Sequence, residues 1–513
     1  MANIIISYWT ENGEVFYDGL GETLSNMGNN VMLLHMHDYI EFKFWGTTFT
    51  LNKKGLELLK HILEFEPDIV IAFNNMFPIE YVKELECPIC VVDADTFDVG
   101  FWNKEELKNN KDRYIFLGMQ TDSRSIYENR LGTVKQYLYF PSATLSKTKD
   151  SAKLRNISFI GTNFLYARHF AYHYDFVNER QLFKDILDIY KTFDILKDNN
   201  FDKFKSKYGT IKDDVYLRRI FEYFHYHTIS GINRIKLLSC FSDLGLELWG
   251  LDTWRELLYY DIELAKCYND VKVSTLEENL EIYNSSKISI NISHQQAGQA
   301  FSWRVMDIMA SSSCLLTEDK KDWHNLFGEY ISDEVKEAII YKDRYDARQK
   351  AIRLLEDEEL RLRCVKECNY AIEQNGRWEH RFKKLSEYLN INFFSNDKGR
   401  LEILHRKTNY IKTAETNEEA KITEVNEEAK IVETSAETNV AVVNEEAKIL
   451  EVTHINILKP RLKYYQNMQY RNRWLGFINL FQLMLAQIPL VDLLFFKRKK
   501  RRELLEKINR YWR

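Results

Sequence analysis

Gln299-Ala-Phe-Ser-Trp-Arg-Val-Met-Asp-Ile-Met-Ala-Ser-Ser-Ser-Cys314 lies between two short apolar runs, Ile288 to Ile292 and Leu315-Leu316. That order reads as strand, polar loop, helix, strand, with Arg304 and Asp307 on the first turns of the helix. A helix start gathers unpaired backbone N–H groups and the positive end of the helix dipole, an arrangement that suits phosphate. The surrounding chain repeats the pattern, so this stretch makes the fold α/β and marks the place where a ligand is expected.

Upstream, residues 1–150 alternate strands and helices. Asn3 to Tyr8 is apolar and β-branched, and Val15 to Met27 has helical spacing that stops at Gly28-Asn29-Asn30. Val31 to Leu34, Ile69 to Phe73, Ile89 to Asp93, Tyr114 to Leu117 and Val134 to Leu138 are further apolar runs, and Leu56 to Phe65 reads as a helix. Continuous apolar strands between helices indicate a doubly wound parallel sheet. Ligands in such sheets sit at the carboxyl ends of the strands. Tyr8-Trp9-Thr10, His35-Met36-His37-Asp38, Asn74-Asn75 and Asp93-Ala94-Asp95 therefore share one rim. A second unit of the same architecture, residues 151–400, opens with Ile157-Ser158-Phe159-Ile160-Gly161 and carries an aromatic-rich, mostly helical insertion over about 165–230. Two Rossmann-like halves place the ligand in the cleft between them.

At 513 residues the chain has material for two to four domains. With 45% hydrophobic and 29% charged residues it reads as soluble and globular, and Met1-Ala-Asn running into Ile4 looks like a first strand rather than a leader. Seven cysteines without regular spacing point to a reducing compartment. Cys87-Pro-Ile-Cys90 has redox or zinc spacing, but no second pair completes a zinc site and it runs straight into a strand. Cys364 and Cys368, one helical turn apart, are expected to be partly buried. Charge is uneven: Lys412 to Thr453 has 4 basic and 11 acidic residues, whereas Leu458 to Arg513 has 14 basic and 3 acidic. The acidic remainder gives no nucleic-acid surface.

Four segments carry a family resemblance. They are Tyr137-Leu138-Tyr139-Phe140-Pro141; Ile157 to Gly161 with Arg168 after it; Tyr283 to Ile292 with the Arg304-Val305-Met306-Asp307 helix; and Trp378-Glu379-His380-Arg381. In this order and spacing, residues 1 to about 390 resemble the CgeB-like, spore-maturation-protein type of glycosyltransferase within the group-one clan. The resemblance implies the GT-B fold of two facing Rossmann-like domains, the first on the acceptor side and the second binding a nucleotide sugar. It implies that Asp307 stands where related retaining enzymes hold the donor ribose with a carboxylate. Gln299 falls where their other carboxylate would be and cannot carry its charge. Arg304 is the candidate for the diphosphate, because a guanidinium forks onto phosphate oxygens. The alternative is that Arg304 and Asp307 merely form a helix-start ion pair.

His294 in the loop after the strand reads either as a sugar contact or as a surface loop histidine, and Gly161-Thr162 either lets the backbone approach phosphate or simply makes a tight turn. A catalytic base on the other side must face the acceptor hydroxyl. Asp38, His37 and Asp93 are the candidates, with His35 and Asp95 beside them. No metal cluster stands out. Asp93-Ala-Asp95 matches an Asp-x-Asp metal motif of a different glycosyltransferase fold, and no metal or other cofactor is expected beyond the nucleotide sugar as substrate.

From about residue 408 the chain changes character. Asn-Glu-Glu-Ala-Lys-Ile recurs at 417, 426 and 444, with Ser435 to Val443 filling the nine-residue period. Nine residues make about 2.5 helical turns, so equivalent side chains alternate between faces and build no zipper stripe. Residues 408–453 therefore read as a solvated helical spacer or a partly disordered linker rather than a dimer zipper. The tail, 457–513, joins a mainly apolar Trp474 to Phe496 to Lys497-Arg-Lys-Lys-Arg-Arg502. It is suited to an anionic membrane surface or to docking on protein, a second copy included. The expected protein is a cytoplasmic glycosyltransferase, peripheral at the inner face of the membrane, acting on an envelope glycan, lipid-linked or protein acceptor. The alternative is a non-catalytic scaffold of the same fold in a membrane-associated glycan-assembly complex.

Overall fold

A computed structural model describes residues 1–9, 14–43, 48–95, 101–165, 184, 227–271, 273, 275–404 and 409–413. Most of the helical insertion, Thr10, Arg168, the nonapeptide segment beyond Thr413 and the basic tail lie outside the described residues. Among the described residues no helix is long and apolar enough to cross a membrane.

The first half is built on strands β1 (Asn3–Tyr8), β2 (Asn30–His35), β5 (Ile69–Phe73), β6 (Ile89–Val92), β7 (Tyr114–Gly118) and β8 (Tyr137–Tyr139), all parallel to their neighbours among these. Alternate residues serve the two faces of the sheet. Ile4, Ile6, Val31, Leu33, Ile69 and Ile71 enter one core, while Ile5, Met32, Leu34, Val70 and Ala72 enter the other. Burial on both faces is why these strands read as unbroken apolar runs. Two features were not legible in those runs. A separate antiparallel hairpin, β3 (Ile40–Lys43) with β4 (Thr48–Leu51), stands beside the sheet. From far along the chain, β14 (Arg400–Leu404) pairs parallel with β2 and β15 (Asn409–Thr413) pairs antiparallel with β14. The order is β15-β14-β2-β1-β5-β6-β7-β8. The sheet thus reaches into the start of the segment read as spacer, to Thr413.

The second half holds β9 (Arg155–Ile160), β10 (Leu246–Trp249), β11 (Ser286–Ile290), β12 (Cys314–Glu318) and β13 (Ile340–Tyr341) in the parallel order β10-β9-β11-β12-β13. Its core runs through Ile157, Phe159, Ile288, Ile290, Val305, Leu315 and Leu316. The fold is therefore α/β with two main sheets, parallel throughout except where β15 joins β14. Each sheet has a switch point, between β1 and β5 in the first half and between β9 and β11 in the second, where the strand order turns back and a crevice opens.

The halves are tied by the segment after β8 and by the helix Trp378–Leu389. Trp378, Phe382 and Leu385 pack into the first half's core, with Trp378 against Phe16 and Phe140 at ring distances of 5.8 and 6.1 Å. Arg381 is fully buried and donates to the carbonyls of Pro141, Ser142 and Asn375 and to Asn375 Oδ1. The Trp-Glu-His-Arg segment is thus the seam between the linker and the returning helix. Cys364 and Cys368 are fully buried, not partly as expected, because their helix, Glu358–Asn375, turns that face onto Cys314 and the β12 core. Cys87 precedes β6 and Cys90 lies within it, and burial raises both thiols, Cys87 to about 11. A thiol held protonated at neutral pH is a poor nucleophile and ligand.

Candidate active site in the cleft

A cavity of about 400 Å³ opens where the carboxyl ends of the two sheets meet. The first half lines it with Trp9, Tyr17, Phe73, Asn74, Met76, Asp95 and Trp102, and the second half with Phe164, His227, His294 and Gln296. Trp9 follows β1, Asn74 follows β5, and His294 and Gln296 lie beyond β11, so both switch points feed one space.

On the first-half wall, Asn74 and Asn75 directly follow β5 with φ of 52° and 59°. That left-handed conformation suits asparagine better than most side chains. It aims Asn74 at Asp95: Asn74 Nδ2 donates to Asp95 Oδ2 at 2.8 Å, and the Asp95 N–H donates to Asn74 Oδ1 at 3.0 Å. The Asp95 carboxylate reaches solvent through the cleft yet has protein on most sides. This burial raises its pKa, against hydrogen bonds from Asn74 and from Gln296 across the cleft.

Asp93, two residues earlier, turns the other way. Its Oδ1 accepts the Met119 N–H and its Oδ2 accepts the Ser123 hydroxyl at 2.5 Å. Burial pushes its carboxyl up to about 7, with Ser123, Met119 and Tyr127 acting in the opposite sense. Its bonds brace the start of the helix Ser123–Leu131, and it does not line the cavity. His37 and Asp38 occupy the turn Met36–Asp38 after β2, beside the cavity rather than on its wall. The His37 ring packs on Trp9 at 4.7 Å, and Asp38 lies within 4.0 Å of both His35 and His37.

On the second-half wall, His294 packs against Phe164 at 4.8 Å and His227 at 5.4 Å. Its Nδ1 accepts the Gln296 N–H, which puts the proton of a neutral ring on Nε2. Arg234, on the helix Ser230–Leu238, fixes this wall by donating to Thr162 O at 2.7 Å and Ile292 O at 3.0 Å while covering the Phe164 ring. Local sequence gave no sign of that role, since both acceptors are carbonyls at least 58 positions away.

Gly161 and Arg304 lie close together: a Cβ on Gly161 would lie 2.8 Å from Arg304 Nη2. The guanidinium stands 5.0 Å over the Phe159 ring and donates to Asn291 Oδ1. Gly250, at φ +141°, closes the same turn from β10; a Cβ there would meet the Gly161 carbonyl oxygen at 2.1 Å. A glycine directly after an apolar strand was the available signal for it. Arg304 does not line the cavity.

Asp307 faces elsewhere. Its Oδ1 accepts the hydroxyls of Thr144 at 2.6 Å and Ser146 at 2.9 Å, both in the segment joining the halves. Burial raises its pKa, against these two bonds and the nearby Arg304 and Arg377. It forms no simple ion pair with Arg304; among the described contacts its oxygen serves the linker. Gln299 also lies off the cavity, its backbone carbonyl accepting the Asp322 N–H at 3.1 Å. Among the described residues no group of His, Cys, Asp and Glu is arranged to hold a metal.

No curated protein matches the chain by sequence. Solved structures align with it over most of its length, three of them as follows. Phage T4 β-glucosyltransferase in complex with its UDP-glucose substrate gives 11% identity and a TM-score of 0.40, covering 75% of this chain and 97% of the other. Sucrose-phosphate synthase from Thermosynechococcus elongatus gives 9% and 0.44, with 75% and 98% covered. A TarM variant from S. aureus, in complex with UDP among other molecules, gives 10% and 0.40, with 67% and 60% covered. Within the second half, residues 234–387 match the family described as glycosyl transferase-like, a span that includes Arg234, His294, Gln299, Arg304 and Asp307.

Proposed function

We propose that the chain transfers a glycosyl group from a nucleotide-sugar donor held by the second half to a hydroxyl presented by the first half. The observation that carries this reading is the shared cavity at both switch points, with Asp95 on one wall and His294 and Gln296 on the other. The glycosyl transferase-like match over residues 234–387 supports assigning the donor to the second half. In this reading Arg304 and the Gly161 turn take the diphosphate, His294 touches the transferred sugar, and Asp95 draws the proton from the attacking hydroxyl. A carboxylate whose pKa burial has raised is a stronger base than an ordinary one, while remaining ionised above that pKa. Asp307 acts through Thr144 and Ser146 on the linker, and Asp93 on the helix it braces. The proposed acceptor is an envelope glycan, lipid-linked or protein-borne, reached beside a membrane through the basic segment 474–513; no metal is assigned to the transfer.

The test is donor turnover across a panel of UDP-, GDP-, dTDP- and CMP-sugars, with calorimetry for binding. Wild type is expected to bind and consume at least one. Asp95→Asn should lower turnover about 10²- to 10⁴-fold, the usual contribution of a general base. Arg304→Ala should raise the donor Kd about tenfold or more, corresponding to a charge-assisted phosphate contact. If wild type binds none of the panel, the reading fails and the non-catalytic scaffold, favoured by the uncharged Gln299, takes its place.

A further inference from the structure

The first-half wall of the cavity is built from rings. Trp9 and Trp102 both line it, half-buried. Phe42 packs edge-on to Trp9 at 4.4 Å and lies 5.0 Å from Trp102, and the His37 ring lies 4.7 Å from Trp9, tilted by 39°. The backbone holds Trp102 in place: its N–H donates to Asn74 O at 3.2 Å, and its carbonyl accepts from Asn75 Nδ2 at 3.0 Å. Next to it Asn103, at φ +46°, grips Phe49 of the hairpin through both ends of its amide. The Trp102 backbone is thus anchored, and both indoles rest on neighbouring rings. Asp95 and Asn74 stand on the same side of the cavity as a joined acid and amide.

We infer that this wall is a subsite for a pyranose ring of the acceptor, so that the hydroxyl attacked in transfer belongs to a sugar; the inference rests on the glycosyl-transfer reading above. One face of a pyranose presents polarised C–H bonds, which complement the electron-rich face of an indole. Its rim presents hydroxyls that need both donors and acceptors in line, which Asn74 and Asp95 supply together. An acyl chain or apolar peptide side chain would cover the rings equally well. It would also strip water from the Asp95 carboxylate and return no hydrogen bond, an unfavourable exchange. The acid beside the rings therefore selects a polyol with an apolar face.

The test uses methyl gluco-, galacto- and N-acetylglucosaminopyranosides as acceptors, with whichever donor wild type consumes. Trp102→Ala should raise the acceptor KM at least tenfold relative to any change in donor KM, and Trp102→Phe should recover most of that loss. Saturation-transfer NMR on donor-free wild type should show the ring protons of at least one methyl pyranoside against the protein, and Trp102→Ala should weaken that signal. Equal shifts in acceptor and donor KM would overturn the inference, because the wall would then hold the donor's sugar. So would turnover of a donor with no saturation transfer to any pyranoside. Saturation transfer without consumption of any donor would uphold the subsite and defeat the glycosyl-transfer reading instead.

Discussion

Asp93 offers a sharp check on the division between chemistry and scaffolding at the end of β6. Its carboxyl is raised from the ordinary 3.8 to about 7 by burial. Between those values the folded protein binds more protons at this site than the unfolded chain, so stability falls as pH rises. Linkage puts the cost of ionising Asp93 at about 2 kcal/mol at pH 5 and about 4 kcal/mol at pH 8. Asparagine removes the titration and keeps an oxygen for the Met119 N–H, while Ser123 can rotate to accept from the new amide. Urea unfolding of wild type and Asp93→Asn at both pH values isolates the effect, since other titrating groups cancel in the comparison. On going from pH 5 to pH 8, the first unfolding transition of wild type should lose about 2–3 kcal/mol more than that of the variant. Parallel profiles, within about 0.5 kcal/mol, would refute the argument that burial governs this carboxylate. Donor turnover by Asp93→Asn near wild-type levels would accompany the expected result, because Asp93 lies outside the cavity.

Arg381→Met strands three carbonyls and an amide oxygen in the seam between the linker and the returning helix. It should destabilise by about 3–5 kcal/mol in urea, with faster amide exchange in 378–389, and Arg381→Lys should restore only part. Gly161→Ala pushes a methyl group to 2.8 Å from Arg304 Nη2, the movable end of a long side chain. It should cost only about 1 kcal/mol in a thermal or urea melt while raising the donor Kd several-fold in calorimetry, a split that a purely structural glycine would not give.

The parts of the fold that were legible in the sequence are those where burial on both sheet faces leaves a run such as Ile4-Ile5-Ile6 or Ile69 to Phe73. The hairpin and β14 were missed because Ile40-Glu41-Phe42-Lys43 and Leu401-Glu402-Ile403 are short, charge-interrupted pieces whose pairing depends on partners elsewhere. Motif reading named Gly161 and Arg304 separately, and the structure sets them side by side. It listed Asp93 ahead of Asp95, since nothing in Asp-Ala-Asp tells which carboxylate meets Met119 and Ser123 and which meets the cleft. Asp307 shows the same difficulty: its position in the motif suggests a ribose, while its observed partners are two hydroxyls more than 160 residues upstream.

The placement of β14 also bears on synthesis. Residues 400–404 complete the sheet beside β2, so the first half stays unfinished until the whole second half has left the ribosome. Until then the edge of Asn30–His35, apolar and unpaired on one side, is open to any other extended chain. A nascent or truncated chain ending before Arg400 would carry that open edge, and aggregation during expression, rather than loss of a binding residue, would be its first symptom.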